Sequence, residues 1–316
     1  MTTPLVPQEI FLLERFCSLE RYGEMRDAWH AMLSEAEDFL ARFMRNLPPE
    51  YRKRPLQQQP DIVWGERVLP NFRETMHILN DGYIKLSHGN YGALSVANGV
   101  TGDVRGQTMD YSAAWMDEVE AGAEARHYKL LCKANDLAWP IMRTSSAIWS
   151  PGSLTTNYDE VIGEPLNPPP TWPTYRLNRQ VTVRSGDRVS QTGIYLPDVD
   201  HGFPTLLIKS DDPLLGEANE ALVMIDPSTS TKREYRPALW TLVERVANES
   251  EILTALSLTA PPRQRSEGGQ PCPQSGYWFT PAKLHSRRYF KEGEIMPVMS
   301  SDYGSTIWQW DPNQPA

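Results

Sequence analysis

The residues that could do chemistry in this chain are few and scattered. Asp198-Val-Asp-His201 is the nearest approach to a site, because Asp-x-Asp can seat a hard cation and a histidine can complete its shell. The plainer reading is an exposed turn after Pro197, since Asp and Pro are turn residues. Lys283 to Arg288, beside Tyr289-Phe290, could grip an anion or a base, yet a lone basic cluster in an acidic chain reads first as a solvated edge. Cys272 lies between two prolines with no local base to lower its pKa, so it reads as a turn residue. The histidines His30, His77, His88, His127, His201 and His285 form no zinc-binding spacing. No nucleophile elbow, phosphate-cradling loop or dinucleotide fingerprint is present. The expectation is therefore a protein with no catalytic residues, no metal and no cofactor.

Two groups suit binding better. Asp110, Asp117, Glu118, Glu120 and Glu124 fall on one predicted helix, and Asp110, Asp117 and Glu124 are seven apart, which places them on a shared face. Tyr111, Trp115 and Val119 line another face at core spacing. The acidic stripe is either an ordinary solvated face or the first surface to consider for a basic partner. The second group is aromatic: Tyr277, Trp278 and Phe279, with Trp308 and Trp310. On strands, Trp308 and Trp310 share a face and Trp278 points opposite to Tyr277 and Phe279. Core packing is the first reading, with any exposed remainder available for sugar stacking or as protein-interface anchors.

The elements that position these residues change character midway. Apolar periodicity predicts a helix from Pro7 to about Gly23, a second through Trp29, Phe39 and Phe43, and a third over Phe72 to Leu86. A fourth is predicted from about Met109 to Asp136, stopping before Trp139-Pro140. Residues 1–150 thus read as a helical bundle, 151–175 as a Pro-rich linker, and 176–316 as a β-rich domain. Short β-prone runs occur at 180–184, 193–196, 205–208, 239–243 and 306–310, with a short helix possible over 245–257. Gly186-Asp-Arg-Val-Ser-Gln-Thr-Gly-Ile-Tyr-Leu-Pro197 matches Gly269-Gln-Pro-Cys-Pro-Gln-Ser-Gly-Tyr-Trp-Phe-Thr-Pro281, and each copy later reaches a Trp-centred strand. This predicts a duplicated small antiparallel unit, about 180–245 and 262–316, in which two sheets each bury one face against the other. The fold class expected is α+β, a helical bundle followed by a mostly antiparallel β region.

The totals narrow the partners. In 316 residues the net charge is -9, spread evenly between the halves, which disfavours nucleic acid and favours a basic partner. Three cysteines argue against a disulfide framework, and no secretory signal or bilayer-spanning run is visible, so a cytoplasmic location is expected.

The C-terminal block carries a resemblance. Gly269 to Pro281, Ser286-Arg-Arg-Tyr-Phe-Lys-Glu-Gly-Glu-Ile-Met-Pro297 and Asp302-Tyr-Gly-Ser-Thr-Ile-Trp-Gln-Trp-Asp311 resemble the C-terminal signature of the bacterial immunity protein families numbered seventy-one and seventy-two. The resemblance is strong over only the last 48 or so residues. It implies a non-enzymatic protein that binds and neutralises one cognate secreted toxin, of a polymorphic or type VI secretion system, encoded beside it. It also implies that Gly276, Tyr277, Trp278, Phe279, Pro281, Trp308 and Trp310 mark the fold rather than the toxin contact. The alternatives are an enzyme that reverses the toxin's modification and a carbohydrate- or cell-wall-binding module.

Overall fold

The structure, a computed structural model, describes residues 3–158, 160, 166–225, 233–246, 265–280, 286–299, 306–311 and 314. Five α-helices of ten or more residues occupy the N-terminal half: α1 (Pro7–Phe16), α2 (Leu19–Arg45), α3 (Leu69–Ser87), α4 (Ala97–Asp110) and α5 (Ala123–Ser145). Antiparallel sheets follow, so the expected α+β class holds.

Local chemistry sets the helix boundaries, and it moves several from their expected places. The first helix ends at Phe16, because the Ser18 side chain accepts from the Arg21 N–H at 3.1 Å and so caps a new helix. Gly23 lies inside α2, where an added Cβ would stand 3.2 Å from the Tyr83 ring, so close helix contact selects glycine there. The glycine-studded stretch after Gly89 forms α4, with Gly99, Gly102 and Gly106 in open space. α5 runs through Pro140 to Ser145; the missing N–H costs one helical bond, while Leu137, Ala138 and Ile141 stay fully packed. The bundle core is aromatic-rich. Trp29, 0% exposed, sets its ring edge-on to Phe72 at 4.9 Å and donates its indole N–H to the Phe72 carbonyl at 3.0 Å.

The chain divides into two compact units, residues 1–246 and 247–316, so the division falls after the first sheet, past the Pro-rich stretch. That stretch packs on the helices: Trp172 meets Phe11 edge-on at 5.5 Å, and Leu154 and Pro173 are buried. Tyr175, Ile194, Leu196, Phe203, Leu206 and Val243 share one core with the helices. An apolar sheet face must be buried somewhere, and here the bundle buries it.

The first sheet has the order β1-β6-β2-β3, from β1 (Thr174–Arg184), β2 (Gly193–Pro197), β3 (Thr205–Leu207) and β6 (Leu239–Val246). The hairpin β4–β5 (Ala221–Met224, Arg233–Arg236) stands between β3 and β6 in sequence. Arg245 lies in β6, and the rest of the helix expected there, 247–257, is outside the described residues. In the second unit, β7 (Arg265–Glu267), β8 (Gly276–Phe279), β9 (Arg288–Phe290) and β10 (Ile307–Trp310) give the order β7-β10-β8-β9.

The two sheets are the same object twice. Val183 opposite Trp240 becomes Ser266 opposite Trp308; Gly193 opposite Leu207 becomes Gly276 opposite Phe290. Val189 N–H to Gly216 carbonyl becomes Cys272 N–H to Glu294 carbonyl, both 2.8 Å. The Trp240 indole donates to Asn219 O and the Trp308 indole to Pro297 O, each at 2.9 Å. The tips of Tyr195 and Trp278 donate to Gln191 O and Gln274 O. Gly186 and Gly269 both adopt left-handed φ, +88° and +87°. The duplication read from sequence therefore extends to register and side-chain hydrogen bonds. This alignment sets Pro197 against Thr280, one residue before the expected Pro281, which lies outside the described residues.

Each copy has a core of its own. Val189, Tyr195, Leu207, Ala218 and Trp240 in the first correspond to Cys272, Trp278, Phe290, Met296 and Trp308 in the second. Three of the five are larger in the second copy. Ala221 and Val223 of the β4–β5 hairpin join the first core, and the second copy fills its smaller frame with wider side chains.

Candidate protein-binding surfaces

The five acidic residues do not share one helix. α4 ends at Asp110, Tyr111–Ala113 run extended or turned, Ala114–Glu118 form a 3-10 turn, and α5 begins at Ala123 after Gly122 at φ +83°. The seven-residue spacing therefore carries no common face. Gln107 donates to the Tyr111 carbonyl at 2.8 Å and closes α4, and the Trp115 ring is buried between Phe43 and Trp64. The aromatic half of the expectation holds as core packing: Trp115 is buried, with Tyr111 and Val119 packed beside it.

Most of these carboxylates are occupied. Glu118 takes both guanidinium nitrogens of Arg54, at 2.8 and 2.9 Å. Glu120 accepts from Arg42 and from Arg126, 2.9 Å each, and these two arginines hold its carboxyl below the ordinary value. Arg126 also reaches Glu35 at 2.6 Å. Asp117 Oδ1 accepts the Glu124 N–H at 2.8 Å and so caps the start of α5. Asp110, Asp117 and Glu124 lack a side-chain cation among the described residues. Exposed, solvent-screened pairs of this kind contribute little to stability.

A cleft of about 230 Å³ opens beside this network, lined by Arg54, Gln57, Pro60, Trp64, Trp115 and Glu118 among others. It lies below the ~300 Å³ at which small-molecule sites begin. Its charged groups already pair with each other, and it holds no nucleophile beside a base. His127, 1% exposed, stands 5.4 Å from the Trp64 ring with neither nitrogen bonded among the described residues, and burial lowers its pKa to about 4. It is a neutral core residue at neutral pH.

The other singled-out residues are structural. Asp198 Oδ1 accepts the Leu239 N–H at 2.7 Å, and His201 sits at φ 57° in the same turn, where it belongs to no group able to hold a metal among the described residues. Cys272 is 2% exposed; burial raises its pKa, and its Sγ donates to the Gln274 carbonyl at 3.0 Å. Lys283 and His285 lie outside the described residues.

The C-terminal aromatic set splits by face as its alternation predicts. Trp278 and Trp308 are fully buried, and Trp310 joins them edge-on to Trp278 at 5.3 Å. Gly276 is required by close approach, since an added Cβ would meet the Trp310 ring at 2.4 Å. Tyr277 and Phe279 point the other way and are half-buried. Cross-strand from Tyr277 stands Tyr289, 52% exposed, its ring at 76° to Tyr277 and 5.4 Å away. Arg287 covers the Tyr277 ring at 4.1 Å and pairs with Asp311. Sequence reading did not place Tyr289 in this group; the repeat could have, because Tyr289 occupies the position of the apolar Leu206.

No protein-family model, curated protein or solved structure matches this chain.

Proposed function

We propose that this chain is an immunity protein that forms a tight one-to-one complex with a cognate antibacterial toxin in the cytoplasm. The observation that carries the reading is the face of the second sheet built from Tyr277, Phe279 and Tyr289 with Arg287, which assigns Tyr277 and Phe279 to the contact where the resemblance implies that they mark the fold. Tyrosine and arginine are the residue types that dominate protein–protein binding energy, because each pairs a large apolar body with a polar tip. The resemblance of the same C-terminal block to the immunity families supplies the kind of partner. The acidic region is a secondary contact, because Glu118 and Glu120 are held by Arg42, Arg54 and Arg126, and Asp117 caps α5.

Co-expression with the product of the adjacent upstream gene tests this. The expected result is an equimolar complex on gel filtration, with protection of a sensitive strain that rises to one equivalent and then stops. Protection at far less than one equivalent would point to turnover and to an enzyme that undoes the toxin's work.

A further inference from the structure

We infer that the Tyr277–Phe279–Tyr289 face receives an amphipathic α-helix of the partner protein. This deepens the toxin-binding reading and rests on it. The first copy of the module supplies the template. Its corresponding residues are Ile194, Leu196 and Leu206, all at most 7% exposed, and they belong to the same core as the bundle. In that copy α1 lies against β2 and α5 against β3. The same backbone, in the same register, thus already buries this face under helices. In the second copy the three aliphatic residues become Tyr, Phe and Tyr.

The substitution has a physical sense. An aliphatic face left in water invites aggregation, whereas tyrosine keeps a wettable tip and still offers a broad apolar area when covered. Tyr277 and Phe279, two residues apart on one strand, are separated by about 7 Å. That matches the ~6 Å rise between residues i and i+4 of a helix, so one apolar stripe can meet both. A sugar occupant fits less well. Arg287 already covers the Tyr277 ring, and Tyr277 and Tyr289 stand nearly perpendicular, so they offer no flat platform.

The test uses the full-length chain and the purified product of the adjacent upstream gene. Tyr289→Ala is expected to weaken the complex at least tenfold and Tyr289→Phe by less than threefold, with the thermal midpoint of the free chain unchanged in both. Glu37→Gln, on the first unit and outside the acidic region, is expected to leave affinity within threefold. Hydrogen exchange of the bound partner should show protection in a helical segment whose apolar residues recur at i, i+4 and i+7. If the wild-type complex forms and Tyr289→Ala binds as tightly, the docking face is wrong while the toxin-binding reading stands. If no complex forms with the wild-type chain, both fall. Binding of N-acetylglucosamine oligomers by the wild type, lost in Tyr289→Ala, would assign the face to sugar and overturn the inference.

Discussion

The two sheets of this protein share strand order, register and buried hydrogen bonds, yet they live in different surroundings. The first closes one face with Trp240, Tyr195 and Leu207 and gives the other, through Ile194, Leu196 and Leu206, to the helices of its own unit. The second closes its equivalent core with Trp308, Trp278 and Phe290 and presents Tyr277, Phe279 and Tyr289 on its other face. The inner face is set by what the module needs to exist. The other face is where the copies diverged, aliphatic where it meets helices and amphipathic where Tyr289 meets solvent.

If inner and outer faces differ in this way, substitutions should separate them. Trp240→Ala and Trp308→Ala remove equivalent indoles, each fully buried and bonded to a carbonyl, and each should cost about 3–5 kcal/mol. Hydrogen exchange should show the Trp308 variant opening only the second unit, with the helices still protected. Global loss of protection would break the division into two units. On the outer faces the copies should part company. Leu206→Ala should cost about 3 kcal/mol in urea unfolding, and Tyr289→Ala no more than about 0.5 kcal/mol.

Acidity should separate the units as well. His127 is buried neutral in the first unit, with its pKa lowered to about 4 from an ordinary 6.5. The unfolded chain therefore takes up a proton there that the folded chain refuses. Stability is complete above pH 6.5 and declines as pH falls towards about 4, by about 2–3 kcal/mol. Glu9 and Glu14, pushed upward by burial, act in the opposite sense, so a His127→Gln comparison isolates the histidine. A pH series of melts in which the two chains fall in parallel would exclude this role. The most symmetrical effect should come from the two turn glycines. Gly186→Ala and Gly269→Ala impose left-handed φ on a residue with a Cβ, and no neighbour comes closer than 3.7 Å at either site. Each should cost about 1–2 kcal/mol, and unequal costs would show that the turns are less alike than their backbones.

Sequence patterns made much of this architecture legible, and the misses have identifiable causes. The Trp-centred strands and the repeat followed from β-branched and aromatic runs between glycines. The alternation of Trp278 against Tyr277 and Phe279 followed from the two-residue period. The acidic helix failed because a seven-residue spacing persists through a break between helices that Gly122 and the extended Tyr111 betray. Pro140 was read as a stop because its local cost is visible in sequence, while the burial that offsets it is not. Two of the three arginine partners of Glu118 and Glu120, Arg42 and Arg54, come from distant segments, and no local pattern announces them.

The strand order carries a consequence for how the chain is made. In both modules the last strand in sequence, β6 or β10, inserts between the first and second. Until Leu239–Val246 leaves the ribosome, β1 has no neighbour and β2 has only β3, so two strand edges stay open beside an unfinished helical core. Premature stops before this point should yield chains that aggregate or are degraded, whereas loss of everything after Val246 leaves a finished first unit. Synthesis therefore completes the first unit before the aromatic module that follows it.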